Sequence, residues 1–204
     1  MRVISEVGAG ADAPAAHGGS AEPTTGGPDF LDALRARDPS EDRGAARDLY
    51  GGLIGSWEGE VVDHLPEGPR RQSAEFHFAR VLEGRAVQDL WIVPARSARG
   101  SAPPIAGNRY GTTLRVYDPR IDAWRITWTN PVTGTETRLV GRRVGSQIVQ
   151  TGADADGRLV RWVFAVVKED AFHWRGEVSE DGGTTWVCET EFFGRRSPAA
   201  GHGS

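Results

Sequence analysis

The chain has 204 residues, with 24 basic against 28 acidic side chains and a formal net charge of -4. That length suits one domain with a real core, and arginines spread along the chain, never in a run of five, argue against nucleic acid, which needs cations clustered on one face. Cys188, the single cysteine, excludes an intramolecular disulfide, and the N-terminus lacks an apolar run for a signal peptide or membrane span, so a cytoplasmic protein with no membrane partner is expected.

Residues 1–28 are rich in Gly, Ala, Pro and Ser, offer little to bury, and are expected to be disordered. Residues 29–52 form a short helical lead-in. Asp29 is placed to cap a helix reaching Arg37, with Phe30, Leu31 and Leu34 on one side. Ser40 is placed to cap a second helix over 41–50, which Gly51 and Gly52 end. These helices are expected to close one end of a barrel.

From 53 to 196 the pattern is β, with a disordered tail over 197–204. Tyr110, Thr112, Leu114 and Val116 share one face, the turn Asp118-Pro119-Arg120-Ile121-Asp122 comes next, and Trp124, Ile126, Trp128 and Asn130 share another face. Alternation of this kind on either side of a Pro/Asp turn predicts a hairpin. The same unit recurs, giving strands over 56–64, 72–81, 85–93, 110–117, 123–130, 136–143, 146–152, 158–167, 171–178 and 185–195. No helical period falls between them, which excludes parallel βαβ units. The long connection from Pro94 to Asn108 is polar and is expected to lie over a barrel mouth. The fold class expected is all-β: a single antiparallel up-and-down β-barrel of about ten strands, because closure removes exposed edges. A two-sheet sandwich is the runner-up.

Few motifs carry chemistry. Ser179-Glu180-Asp181-Gly182-Gly183-Thr184-Thr185-Trp186 fits an Asp-box, read here as a hairpin device. Asp154-x-Asp156-Gly157 resembles the opening of a calcium loop but lacks the remaining ligands. His64, His77 and His173 lie on separate strands with no ligand-pair spacing, so no metal site is inferred. Cys188 sits in an apolar strand, where an inert thiol is the ordinary case.

The seven tryptophans are the most distinctive chemistry. Aromatic walls with a few polar groups describe a small-molecule cavity, and Trp57, Gln88, Trp91, Trp124, Ile126, Trp128, Asn130, Trp162 and Arg175 are the candidate ligand-facing residues. Trp57, in Gly55-Ser56-Trp57, also reads as a plug for the barrel end. Glu177, His173, Asp89 and Glu189 are candidates for acid/base roles. The face of each strand that points inward is left open.

In order, Leu82–Pro94, Tyr110–Asn130 and Val178–Arg196, together with the Gly-x-Trp start, resemble the blocks of a bacterial lipocalin-like (calycin-like) family of unknown function, over roughly residues 50–196. The resemblance implies a barrel with an internal cavity and no particular activity. Compared with that pattern, Ile126 stands where a polar residue is usual. Gly176 replaces a Trp, and Trp174 replaces a polar residue. Nitrobindin-type haem barrels are more distantly similar, but the last strand lacks their histidine and only His173 is near. The function expected is binding of an apolar or aromatic metabolite, with no cofactor and no metal. A cofactor-independent isomerase or cyclase of secondary metabolism is the alternative, and haem binding a lesser one. A homodimer is left open.

Overall fold

The computed structural model describes residues 29–41, 48–99 and 108–198. Residues 1–28, most of the second expected helix, the middle of the 94–108 connection and the tail from 199 lie outside these residues, while Ser197, at the start of the expected disordered tail, is described and its amide donates to the Ser56 carbonyl at 2.9 Å.

A two-residue strand, β1 (Arg35–Ala36), precedes ten antiparallel strands that close on themselves: β2 (Gly55–Leu65), β3 (Gly68–Val81), β4 (Ala86–Val93), β5 (Arg109–Asp118), β6 (Ala123–Asn130), β7 (Thr135–Val144), β8 (Gln147–Ala153), β9 (Leu159–Val167), β10 (Ala171–Ser179) and β11 (Val187–Arg196). From β2 onward each strand pairs with its sequence neighbours, and β11 pairs back with β2, which completes the ring. The all-β barrel expected from the alternation is therefore the fold, and the sandwich is not. Strand bounds fall within a few residues of those expected. The largest extension is at the start of β3, where Arg70 and Arg71 pair with Asp63 and Glu60 across the hairpin.

The lead-in differs from expectation. Helix α1 covers only Phe30–Leu34 and buries nothing. Arg35 and Ala36 of β1 then pair with Val81 and Arg80 on β3. Five residues make too short a helix to stand without a packed face, and the end of a neighbouring strand offers the next residues hydrogen bonds instead. The plug comes later: Tyr50 and Leu53, around the 3-10 turn Gly51–Leu53, are fully buried. A further short helix, α2 (Arg96–Arg99), follows β4. Arg96 anchors it to β3 through Nε and Nη2 on Glu75 Oε2, 2.9 and 2.7 Å away. Among the described residues no helix is long and apolar enough to cross a membrane.

Alternation divides every strand into an inner and an outer row. Trp57, Val61, Phe76, Phe78, Val87, Trp91, Trp124, Ile126, Leu139, Ile148, Phe164, Phe172 and Phe192 belong to one inner cluster. Its packing needs a missing side chain on β7. A Cβ on Gly141 would stand 2.5 Å from Tyr50 Oη and 2.8 Å from Ile126 Cδ1. Only glycine leaves room for the Tyr50 plug.

Candidate functional site

The barrel has two unlike ends. At one end lie the plug and the β3–β4, β5–β6, β7–β8 and β9–β10 turns, and aromatic rings fill the interior. Tyr50 meets Trp124 edge-on at 5.2 Å, and Trp57 meets Phe172 at 5.1 Å. The Trp57 indole N–H donates to the Leu53 carbonyl at 2.8 Å, so both its ring and its polar handle are satisfied within the wall.

At the other end the interior is open. A cavity of about 380 Å³ is lined from every strand between β4 and β11 except β8. Its rim is formed by Thr133, Asp154, Arg158 and Glu189, near the β6–β7, β8–β9 and β10–β11 connections. The size is within the range of ordinary small-molecule sites. One wall is aromatic: Trp128 lies 6.5 Å from Trp162, Trp162 lies 5.7 Å from Trp174, and Trp174 lies 5.5 Å from Trp91 and stacks on Phe192 at 4.5 Å. The Trp174 ring reaches along its own strand over Gly176, where a Cβ would meet its Cη2 at 2.8 Å. Trp174 thus sets its indole on the inner face of β10 above Gly176.

The floor is polar and charged. Arg115 and Asp89 form an ion pair, Nη1 to Oδ2 at 2.6 Å, with both side chains essentially inaccessible to solvent. Asp89 also accepts the Thr113 amide at 2.8 Å. Arg115 Nε donates to Gln150 Oε1 at 3.4 Å, and the Tyr50 hydroxyl donates to the same oxygen at 3.3 Å. Burial pushes the Tyr50 phenol well above its ordinary pKa, a shift that the neighbouring Arg115 only partly opposes. Arg115 borders the cavity, and its guanidinium carbon lies 4.9 Å from the centre of the Tyr50 ring.

A second polar group sits higher on the wall. Asp63 is bound by Arg109, by Arg70 at 2.9 Å and by the Thr190 hydroxyl at 2.9 Å. Burial alone would raise its pKa, but these donors outweigh that effect and hold it below the usual carboxylate range. Arg109 and Thr190 both face the cavity. The mouth is therefore a set of fixed donors with their compensating acids set behind them.

Of the residues singled out from the sequence, Trp91, Trp128, Asn130 and Trp162 line this cavity. Trp57, Trp124 and Ile126 belong to the packed end. Ile126 therefore carries no information about ligand polarity. Gln88 is on the outer face, donating to the Thr112 hydroxyl at 3.0 Å. Arg175 faces outward too, its Nε 2.8 Å from Glu177 Oε1. The acid/base candidates are not gathered. Asp89 is occupied by Arg115. Glu177 borders the cavity, but its carboxylate is held by Arg161 at 2.5 Å and by Arg175. Glu189 lies at the rim, 3.4 Å from Arg158. His173 is on the outer wall, bonded to Glu191 at 2.8 Å and stacked on Phe193. A haem inside the barrel could not be ligated by His173.

Sequence reasoning missed Arg115, Thr113, Arg109, Thr190, Trp174 and Phe192. One signal was present. Asp89 alternates with Val87, Trp91 and Val93 on an otherwise apolar row, and an acid there requires a buried cation. The Asp-box is the hairpin device expected: Ser179 Oγ and the Thr185 amide each bond Asp181 Oδ1 at 2.8 Å, and Trp186 Nε1 donates to the Gly183 carbonyl at 3.0 Å.

No family model matches the chain, and no curated protein matches it in sequence. Among solved structures it is similar to the S-type phycobiliprotein lyase of Guillardia theta, with a TM-score of 0.50 and 10% identity over 77% of this chain and 95% of that one. At that identity the likeness is one of fold alone.

Proposed function

We propose that the barrel binds a small molecule with a flat aromatic or conjugated body and at least one acceptor group, a carboxylate or a carbonyl. The observation that carries this is the composition of the cavity: a wall of Trp91, Trp128, Trp162, Trp174 and Phe192 over the buried Arg115–Asp89 pair. Rings of this kind take up planar apolar surface through dispersion and desolvation. Arg115 is balanced by Asp89, so it offers direction more than net charge, which suits an acceptor that need not be strongly anionic.

The likeness to a protein named as a phycobiliprotein lyase supports the barrel and leaves the ligand to be read from the wall. The ordered sequence blocks support placing the chain among bacterial lipocalin-like proteins. Binding is favoured over isomerisation or cyclisation because each candidate acid or base is either neutralised by an arginine or outside the cavity.

Titration of tryptophan fluorescence with a panel of aromatic carboxylic acids and their matched amides tests this. A saturable response is expected, weakened at least tenfold in Trp162→Ala. Absence of saturation across the panel, together with a crystal structure in which side chains fill the cavity, would sink the reading.

A further inference from the structure

A second cluster sits on the outside of the barrel, across the wall from the cavity. In a regular strand, residues three apart face opposite sides. On β11 the register breaks that rule. Gly176 pairs with Thr190 while the next residue, Glu177, pairs with Cys188, so Glu189 is an extra residue opposite β10. Such a bulge re-aims side chains. Thr190 stays inward on Asp63, while Cys188 and Glu191 both turn outward, beside His64 of β2. One ligand atom from each of His64, Cys188 and Glu191 lies within 4.8 Å of the others.

We propose that His64 Nε2, Cys188 Sγ and Glu191 Oε2 bind one Zn²⁺ ion on the outer wall. A thiolate, an imidazole and a carboxylate form a mixed soft and borderline set, which suits zinc and does not suit calcium or magnesium, whose sites are built from oxygens. His64 Nε2 and Glu191 Oε2 are 2.9 Å apart. Two ligands on a tetrahedral zinc with bonds near 2 Å would stand roughly 3.3 Å apart, so that pair needs a shift of a few tenths of an ångström, and Cys188 Sγ, within 4.8 Å of both, closes by up to about 1 Å through rotation of its side chain. His173 supplies the outer support. Its Nε2 is 2.8 Å from the other carboxylate oxygen, Oε1, and its ring is fixed by a stack on Phe193 at 4.6 Å. A carboxylate held at one oxygen presents the other in a set direction. His64 is exposed, so the fourth position opens to solvent, where a water completes the tetrahedron.

The thiol must give up its proton. Burial raises the Cys188 pKa, and the Glu191 and Glu177 charges raise it further, with Arg175 partly opposing. Zinc forms the S–Zn bond as the S–H proton passes to solvent, so affinity rises with pH. The site shares no ligand with the cavity and does not depend on what the cavity binds.

Titration of the full chain with Co²⁺, followed by displacement with Zn²⁺, tests the proposal. One equivalent of Co²⁺ is expected to give a near-ultraviolet thiolate charge-transfer band that Zn²⁺ removes, with proton release seen in calorimetry across buffers of different ionisation enthalpy. Cys188→Ser should abolish the band, and both Cys188→Ser and His64→Ala should weaken Zn²⁺ at least tenfold with unchanged circular dichroism. A triple variant, His17→Ala, His77→Ala and His202→Ala, removes the histidines outside the cluster and should bind as the parent does. His64→Ala, at an exposed position, carries the test alone should the serine variant fail to fold. No binding at micromolar metal, or Zn²⁺ affinity unchanged in His64→Ala, would overturn the proposal.

Discussion

The two ends of the barrel are built from the same strands and the same alternation, yet they are in opposite physical regimes. At the plugged end every inward side chain meets another, and polar groups such as the Trp57 N–H are satisfied by nearby backbone. Toward the mouth the same inward rows carry Thr113, Arg115, Asn130 and Arg109 beside tryptophans that have the cavity on one side. A ring with open space on one face has forfeited part of its dispersion energy, which a ligand can restore. The contrast separates residues packed on every side from residues that border the cavity. Stability and binding should therefore divide along the barrel axis.

The largest effects test the plugged end. Trp57→Ala removes a fully buried indole and should cost roughly 3–5 kcal/mol, seen as a lower denaturant midpoint, with ligand affinity in the surviving folded fraction unchanged. Asp89→Ala probes the border between the two regimes. It strands the Arg115 guanidinium without its carboxylate and should cost a similar amount, about 3–5 kcal/mol. The double variant Asp89→Leu/Arg115→Met should recover most of that stability, because an apolar pair also satisfies the interior, while losing the acceptor preference of the cavity. A double variant as unstable as Asp89→Ala would show that the network through Gln150 and Tyr50, and not the pair, sets the cost.

Two glycines make the comparison at smaller scale. Gly141→Ala drives a methyl into Tyr50 and Ile126, whose packed surroundings give neither any freedom, and should cost about 1–3 kcal/mol. Gly176→Ala meets only the far edge of the Trp174 ring, which borders the cavity and has room to swing. Its cost should fall below that of Gly141→Ala by thermal melting, with the larger change in ligand affinity. Equal stability losses at the two sites would mean that the mouth is as rigid as the plug.

This division also explains what the sequence could reveal. Strand positions were legible because alternation is local: each of the ten strands announces itself through period-two patterning and a turn. Facing was left open, although the aromatic positions Trp124, Trp128 and Trp162 do point inward. On β5 the apolar-looking row Tyr110, Thr112, Leu114 and Val116 is the outer one, while Thr113, Arg115 and Tyr117 point in. The choice is made by Asp89 on the neighbouring strand, a partner 26 residues away that no local pattern contains. Bulges were invisible altogether, so neither the outward turn of Cys188 and Glu191 nor the placement of Glu177 could be read. Ile126 looked informative only while its depth along the barrel axis was unknown.

The smallest effect belongs to the Asp-box hairpin at the rim. Hydrogen bonds from the Thr185 side chain and amide, and from Ser179, lower the Asp181 pKa from 3.8 to about 2. A folded-state pKa below the unfolded value means that the folded protein favours the ionised form. The resulting stability is complete above about pH 4 and disappears as pH falls toward 2. Asp181→Asn should therefore be less stable than the parent at neutral pH by an amount that stays constant down to about pH 4, then shrinks and vanishes near pH 2. Urea midpoints measured for both proteins across that range check it. Ligand affinity at neutral pH should change little, since Asp181 does not line the cavity. A stability difference that persists undiminished at pH 2 would assign the hairpin's contribution to packing of Trp186 under Arg161, whose guanidinium lies 4.1 Å from the ring centre, and not to the carboxylate.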